Sequence, residues 1–269
     1  MKFMDLEEKY SGEGSYFYIL PIEYEKDLTY GKGASLGPKE IIKASKHLEY
    51  YDEQFDKEPF EKGIHTLPSL KLNDKSPKEA FEMIKNEVKK HDKFIISIGG
   101  DHSVTIGAVK ENCSVIVFDA HADMFSSWNG SEYNHRCVCQ RLSEKHKVLN
   151  VGVRSMDVDE KHIIENNENI DIIKAHEFNL ELFKEKLKNL DEKVYVSIDV
   201  DCFDPSFIRN TGTPEPGGFT WNQIIEMLEI ISKSKNIIGA DITEFSPKYN
   251  FEAEAFALAK LCYKIMALK

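Results

Sequence analysis

The sequence predicts an α/β domain built on a mostly parallel sheet. Two observations carry that prediction. Short runs dense in Val, Ile, Phe and Tyr recur along all 269 residues, each followed by Gly, Asp or polar residues. Strands buried on both faces of a parallel sheet read this way. Between the runs lie longer amphipathic stretches, and regular alternation of strand and helix implies parallel crossover units.

The elements follow in order. Strands are predicted at 16–22, 94–98, 115–118, 148–151, 170–173, 194–198 and 237–240. Helices are predicted at 38–50, 76–91, 159–167, 179–190, 220–233 and 251–268. The first helix opens on a Gly-Pro pair, and the second on Ser76 with Pro77 at its first helical position, where a missing N–H removes no hydrogen bond. In the fifth, Ile224, Ile225, Leu228 and Ile231 fall on one face. The loops 31–37 and 211–218 are rich in Gly and Pro, but each is short and followed by a helix, so neither reads as an interdomain linker. With no internal repeat or low-complexity segment, residues 1–269 read as one domain.

Composition excludes several function classes. The 46 acidic residues exceed the 35 basic ones, leaving a net charge of -11 and no dominant Lys/Arg cluster. That argues against a nucleic-acid partner, whose phosphates need a basic patch. A membrane partner is not expected either, because no apolar run approaches the ~20 residues of a spanning helix. Residues 1–10 carry charges of both signs and lack the apolar core of a signal peptide. Five irregularly spaced cysteines suit free thiols in a reducing, cytoplasmic setting.

Three predicted strands end in unusual segments: Gly99-Gly100-Asp101-His102-Ser103, Asp119-Ala120-His121-Ala122-Asp123 and Ser197-Ile198-Asp199-Val200-Asp201. In open parallel sheets, ligands bind beyond the carboxyl ends of the strands, where all three would project. Residues two apart in an extended segment share a side. Asp119, His121 and Asp123 are thus expected together, as are Asp199 and Asp201. A lone Asp-x-His after a strand is an ordinary loop feature. Four carboxylates and two imidazoles converging in one crevice are different, because unpaired buried charge is very costly and calls for cations. Six ligands exceed what one catalytic ion uses while keeping an open position, so two divalent ions with bridging carboxylates are expected. Oxygen-rich ligation favours manganese over zinc.

In this order, Gly-Gly-Asp-His-Ser, Asp-Ala-His-Ala-Asp and Ser-Ile-Asp-Val-Asp-Cys-Phe-Asp-Pro resemble the signature segments of the ureohydrolases, the arginase and agmatinase family. Gly33–Pro38, Val151–Ser155, Gly212–Gly218 and Asp241–Pro247 resemble further blocks of it, so the likeness spans nearly the whole chain. It implies a three-layer, arginase-like sandwich with about eight mostly parallel strands flanked by helices, assembled as a trimer or hexamer. It also implies that His102, Asp119, Asp123 and Asp199 bind one Mn2+ and Asp119, His121, Asp199 and Asp201 the second, with Asp119 and Asp199 bridging. His135 resembles the family's proton-transferring loop histidine, and Glu244 the acid that binds the substrate guanidinium. Asp123, His135 and Glu244 are the residues expected to act on substrate, and the products would be urea and an amine.

The resemblance narrows the substrate less sharply. Arginases typically carry, two residues after Asp-x-His-x-Asp, an Asn that reads the α-carboxylate; here that residue is Phe125. A small cationic guanidine without that carboxylate, agmatine first, is the expected substrate. Arg136 replaces the usual Gly after the loop histidine and adds bulk and charge near the entrance. That keeps aminopropylagmatine and guanidinobutyrate open. Formiminoglutamate and arginine are the remaining enzymatic alternatives, and a catalytically silent subunit of the same fold is a non-enzymatic one.

Other residues have plainer readings. Cys137 and Cys139 lack partners at zinc spacing and are expected as loop thiols. Histidines 47, 65, 91, 146, 162 and 176 are expected at the surface, and Trp128 and Tyr133 as packing in the loop before His135. Asp101 and Asp204 are expected to brace the ligand loops by hydrogen bonds.

Overall fold

Among the described residues, hydrogen bonding between the apolar runs produces nine strands: β1 (Phe17–Glu23), β2 (Ile64–Thr66), β3 (Leu70–Lys71), β4 (Phe94–Ile98), β5 (Ser114–Phe118), β6 (Val148–Val153), β7 (Ile170–Lys174), β8 (Lys193–Asp199) and β9 (Asn236–Thr243). The structure, a computed structural model, describes residues 1–248 and 252–269. Across the sheet the order is β2-β1-β4-β9-β8-β5-β6-β7, and every pairing is parallel. β3 pairs with β1 beyond β2, so the two short strands share one edge and the sheet is eight positions wide. All seven predicted strands are present within three residues of their expected bounds; β2 and β3 are too short for periodicity to reveal.

Alternation within the strands explains the layers. Ile96, Ile98, Ile116, Phe118, Val196 and Ile198 face one side, packed against helices Gly37–Ser45, Leu180–Lys188, Trp221–Ser234 and Glu252–Ala267. Ile95, Val115, Val117 and Tyr195 face the other, against Pro77–Lys89 and the short helices Val104–Ala108 and Val138–Ser143. Helix starts follow their sequence signals. Ser76 with Glu79 and Thr220 with Gln223 form reciprocal capping boxes, and Asn179 accepts from the Leu182 N–H.

Three expectations are corrected. The helix predicted to reach residue 50 stops at Ser45, whose hydroxyl donates to Ile42 O (2.7 Å) and accepts from Met4 N (2.8 Å), so the N-terminal segment crosses there. Cys137 and Cys139 are fully buried, the latter inside Val138–Ser143, rather than loop thiols; all five cysteines are unpaired. His65, His91 and His146 are half-buried, bonded to Ser11 O, Glu87 and Cys113 O, whereas His47, His162 and His176 are exposed. Phe251, the predicted start of the last helix, lies outside the described residues. Among the described residues no helix is long and apolar enough to cross a membrane.

The central order β4-β9-β8-β5 positions the site, because it sets four carboxyl ends side by side. Away from it, one ion pair is buried in the helix layer. Lys264 Nζ lies 2.9 Å from Asp52 Oδ1, with side chains 3% and 0% exposed. Removing one partner of such a pair leaves an uncompensated charge, at a cost of about 3–5 kcal/mol. Lys264→Met is therefore expected to lower urea-unfolding stability by that amount, and the double variant with Asp52→Asn, which removes the charge but keeps Oδ1 as acceptor for Gln54 N and Phe55 N, to recover most of it. Equal stabilities of Lys264→Met and the unaltered protein would contradict this.

Candidate functional site

The strand ends bring all six sequence-predicted ligands together, nearly out of solvent: His102, Asp119, Asp123, Asp199 and Asp201 are 0–7% exposed and His121 is half-buried. His102 Nδ1 lies 3.0 Å from Asp119 Oδ2, 3.1 Å from Asp123 Oδ2 and 3.4 Å from Asp199 Oδ2. His121 Nδ1 lies 2.9 Å from Asp201 Oδ2 and 3.6 Å from Asp119 Oδ1. Two groups result, His102/Asp119/Asp199 and Asp119/His121/Asp201, each with ligand atoms within 4.8 Å of one another. Asp119 belongs to both.

The convergence does not come from extended alternation. β5 ends at Phe118, and Asp123 sits in the left-handed region (φ 51°), which turns its carboxylate back toward His102. After β8, Asp199 accepts from Asp201 N (3.0 Å) and caps a tight helical turn, Val200–Cys202, that returns Asp201 to the cluster. Glu244 is also left-handed (φ 65°). Non-glycine residues held there cost about 1–3 kcal/mol each and persist where the surroundings dictate them. Behind β4, Gly100 lets two backbones touch: a Cβ there would lie 1.7 Å from Tyr24 O. Asp101 then braces the loop as expected, accepting from Ser103 N (3.0 Å) and Lys26 N (2.8 Å). Asp204 accepts from Gly217 N (2.9 Å) and Gly218 N (3.3 Å), fastening the 211–218 loop.

A polar chain behind His102 was not anticipated. His102 Nε2 lies 3.1 Å from Ser197 Oγ, which donates to Asp241 Oδ1 (2.7 Å); Tyr195 OH donates to Asp241 Oδ2 (3.0 Å). With its Nε2 proton on Ser197, His102 presents the Nδ1 lone pair to the carboxylates, the orientation that metal-binding histidines are given by such partners. The two strands carrying the chain are consecutive in sequence and neighbours in the sheet, with Ser197 paired to Asp241 in register.

Electrostatics favour a cation. Burial opposes charge on His121, yet Asp201 and Asp119 push its imidazole up to about 12. His102 is likewise held well above the usual imidazole range, burial notwithstanding, by Asp119, Asp123 and Asp199. Burial and then the charge of Asp119 raise Asp123 to about 7. Burial, then Asp201 and Asp119, raise Asp199. Asp119 moves the other way because two imidazoles overcome its burial. A single Nδ1 can donate to one of the three oxygens facing His102, and Asp119 Oδ2 has no hydrogen-bond partner. A divalent cation satisfies what one proton cannot, so these residues fit a metal.

The cluster floors a cleft of about 270 Å³. Glu244 reaches it from the end of β9, its Oε1 accepting from His102 N (2.8 Å). Burial and then the charge of Asp101 raise its carboxyl. His135 also lines it, opening a turn capped by Asn134. Its Nε2 lies 2.9 Å from Thr29 Oγ1, while Nδ1 has no partner. Burial, then the positive charge of His102, lower His135 to about 4. Arg136 lines the cleft too, but its guanidinium is stacked on Phe125 (4.4 Å) and Trp128 (3.9 Å) and paired with Asp157 (3.0 Å). Trp128 therefore packs in its loop, as does Tyr133, stacked on Phe81 at 4.8 Å.

The family model described as the arginase family matches residues 15–268. An N(1)-aminopropylagmatine ureohydrolase of Thermus thermophilus is 34% identical over 93% of this chain and 89% of that protein. An agmatinase of Pyrococcus horikoshii is 35% identical over 94% of this chain and 91% of its own length. Among solved structures, the agmatine ureohydrolase of Thermoplasma volcanium superposes with a TM-score of 0.87 at 24% identity, covering 100% of this chain and 94% of that one. That likeness shows the same fold.

Metal binding at the cluster has to displace protons, because both histidines and Asp123 hold theirs above the ordinary range. Adding MnCl2 to metal-free protein in weak buffer near pH 7 is expected to release protons. The apparent affinity is expected to rise with pH, by about tenfold per unit for each proton displaced. Affinity independent of pH would place the ion elsewhere.

Proposed function

Because the chain belongs to the arginase family and is one of its ureohydrolases, we propose that it cleaves the guanidinium group of agmatine, with two Mn2+ bound, to give urea and putrescine. The charge of the cleft carries this reading. Asp157, Glu160, Glu215 and Glu244 line it beside the ligand cluster, and among the described residues Arg136 is its single Lys or Arg. Since Arg136 is already paired with Asp157, a substrate carboxylate finds no free Lys or Arg there among the described residues, whereas an ammonium finds carboxylates. Arginine and guanidinobutyrate are thereby disfavoured. N(1)-aminopropylagmatine is a second reading, favoured by the open mouth at Tyr30, which is 82% exposed, and by the relative of that name.

In this proposal His102, Asp119, Asp123 and Asp199 hold one ion and Asp119, His121, Asp199 and Asp201 the other. When bound, such a pair makes a water nucleophilic near neutral pH. The chain's own residues do the rest. Glu244, with Oε1 taken by His102 N, offers Oε2 to the guanidinium and so orients the carbon to be attacked. Water adds at that carbon, the bond to the alkyl nitrogen breaks, and the departing amine needs a proton. His135, neutral at physiological pH, accepts one and passes it to that nitrogen. A complete cluster with both His135 and Glu244 in the cleft argues against a silent subunit. A cytoplasmic homo-oligomer, trimer or hexamer, completes the proposal.

Manganese-loaded protein is expected to release urea from agmatine and N(1)-aminopropylagmatine with kcat/KM about 100-fold above arginine and guanidinobutyrate, the scale set by leaving buried polar groups mismatched. His135→Asn is expected to lower kcat about 10²- to 10⁴-fold while two Mn2+ per chain remain bound. Arginine as the preferred substrate would overturn the specificity, and no urea from any guanidine would overturn the hydrolase.

A further inference from the structure

Glu215 is the acid at the cleft mouth that the fold leaves uncommitted. Asp157 is paired with Arg136 at 3.0 Å. Glu160 is 3% exposed and accepts from Met124 N (2.9 Å) and Asp157 N (2.8 Å). The side chain of Glu215 is 34% exposed, and its nearest charged group is His121 Nε2, 4.0 Å away. Among the described residues its carboxylate accepts no hydrogen bond at normal distance.

Its backbone, by contrast, is tightly held. Arg154 donates to Glu215 O (2.9 Å) and Pro216 O (3.1 Å), and Asp204 takes the next two N–H groups. Gly218 lies flat on Phe203, where a Cβ would come within 2.5 Å of the carbonyl carbon. A carboxylate carried on so fixed a loop, without a partner of its own, is preorganised for something that enters the cleft. His121 turns Nδ1 to Asp201 at 2.9 Å and Nε2 to Glu215, so Glu215 stands on the far side of that imidazole from the ligand cluster. An ammonium four methylenes from a guanidinium carbon reaches roughly 7 Å away by ordinary bond lengths.

We propose that Glu215 is the specificity-determining residue of the cleft, binding the ammonium at the far end of an aminoalkylguanidine whose guanidinium lies at the His102/His121 cluster. The inference rests on the hydrolase reading above. Arg136 does not compete, because its charge is fixed on Asp157 and its plane between Phe125 and Trp128.

The test compares agmatine with butylguanidine, which has the same chain but no amine, in the manganese-loaded protein and in Glu215→Gln. The variant is expected to raise KM for agmatine about tenfold, the scale of one lost hydrogen bond to a charged group in a half-exposed place, with kcat little changed. Butylguanidine kinetics and Mn2+ content are expected to stay within twofold, and Glu215→Asp, which keeps the charge, to retain most of the agmatine preference. Equal losses on both substrates, or loss of Mn2+, would show that Glu215 acts only by orienting His121 and would overturn the proposal. So would unchanged kinetics on both. Hydrolysis of neither compound by the unaltered protein would instead fail the hydrolase reading, and this inference with it.

Discussion

Asp119 turns one carboxylate oxygen to His102 and the other to His121, and it does so fully buried at the end of a central strand. That shared carboxylate fixes how close the two imidazoles lie, and with them Asp123, Asp199 and Asp201. Each uncompensated charge in such a place costs several kcal/mol, while a whole domain is stable by only about 5–15 kcal/mol. The crowd is tolerable only with protons or cations inside it. Much of the surrounding structure follows from that constraint. The left-handed backbone at Asp123, the turn after Asp199, the contact of Gly100 with Tyr24 and the Ser197–Asp241–Tyr195 chain all hold charged groups where mutual repulsion would disperse them.

Two kinds of element meet at the cleft, and they do different work. The cluster and its supports belong to strand ends and to residues within β8 and β9, which are buried in the sheet and cannot shift independently. Tyr30, Arg136, Asp157 and Glu215 belong to connecting segments over it. Rigid strand ends suit chemistry that fails when misplaced by an ångström, and loops suit recognition that differs between related substrates. Arg136 illustrates the second kind: its stacking and ion pair organise the loop that presents the neighbouring His135.

Much of this is legible in the amino-acid sequence, for identifiable reasons. The seven longer strands are visible because both faces are apolar, and the ligand segments because acids and histidines directly follow them. Strand register was not legible: Ser197 and Asp241 are paired in space but 44 residues apart, so the chain behind His102 could not be read from either segment. Alternation correctly grouped the carboxylates but gave the wrong backbone, since Asp123 departs from the extended region and Asp201 returns through a turn. The misreadings of Cys137, Cys139, His65, His91 and His146 share one cause. Local polarity says little about residues whose burial is decided by segments distant in the chain, as where Tyr18 of β1 packs on both His65 and His91 and Cys113 O meets His146.

β9 is the last of the nine strands to leave the ribosome, yet its place is in the middle of the sheet, between β4 and β8. Until it arrives, the growing chain carries two half-sheets whose inner edges, β4 and β8, are apolar and unpaired, the kind of edge that invites wrong pairing. The same delay keeps His102 on one half and Asp119, His121 and Asp199 on the other. Asp241 and Glu244 are not yet available at all. Insertion of this one strand both seals the exposed edges and brings His102 to the acidic cluster. A nascent or truncated chain thus lacks the His102/Asp119/Asp199 group, even though Asp119, His121 and Asp201 already share one half.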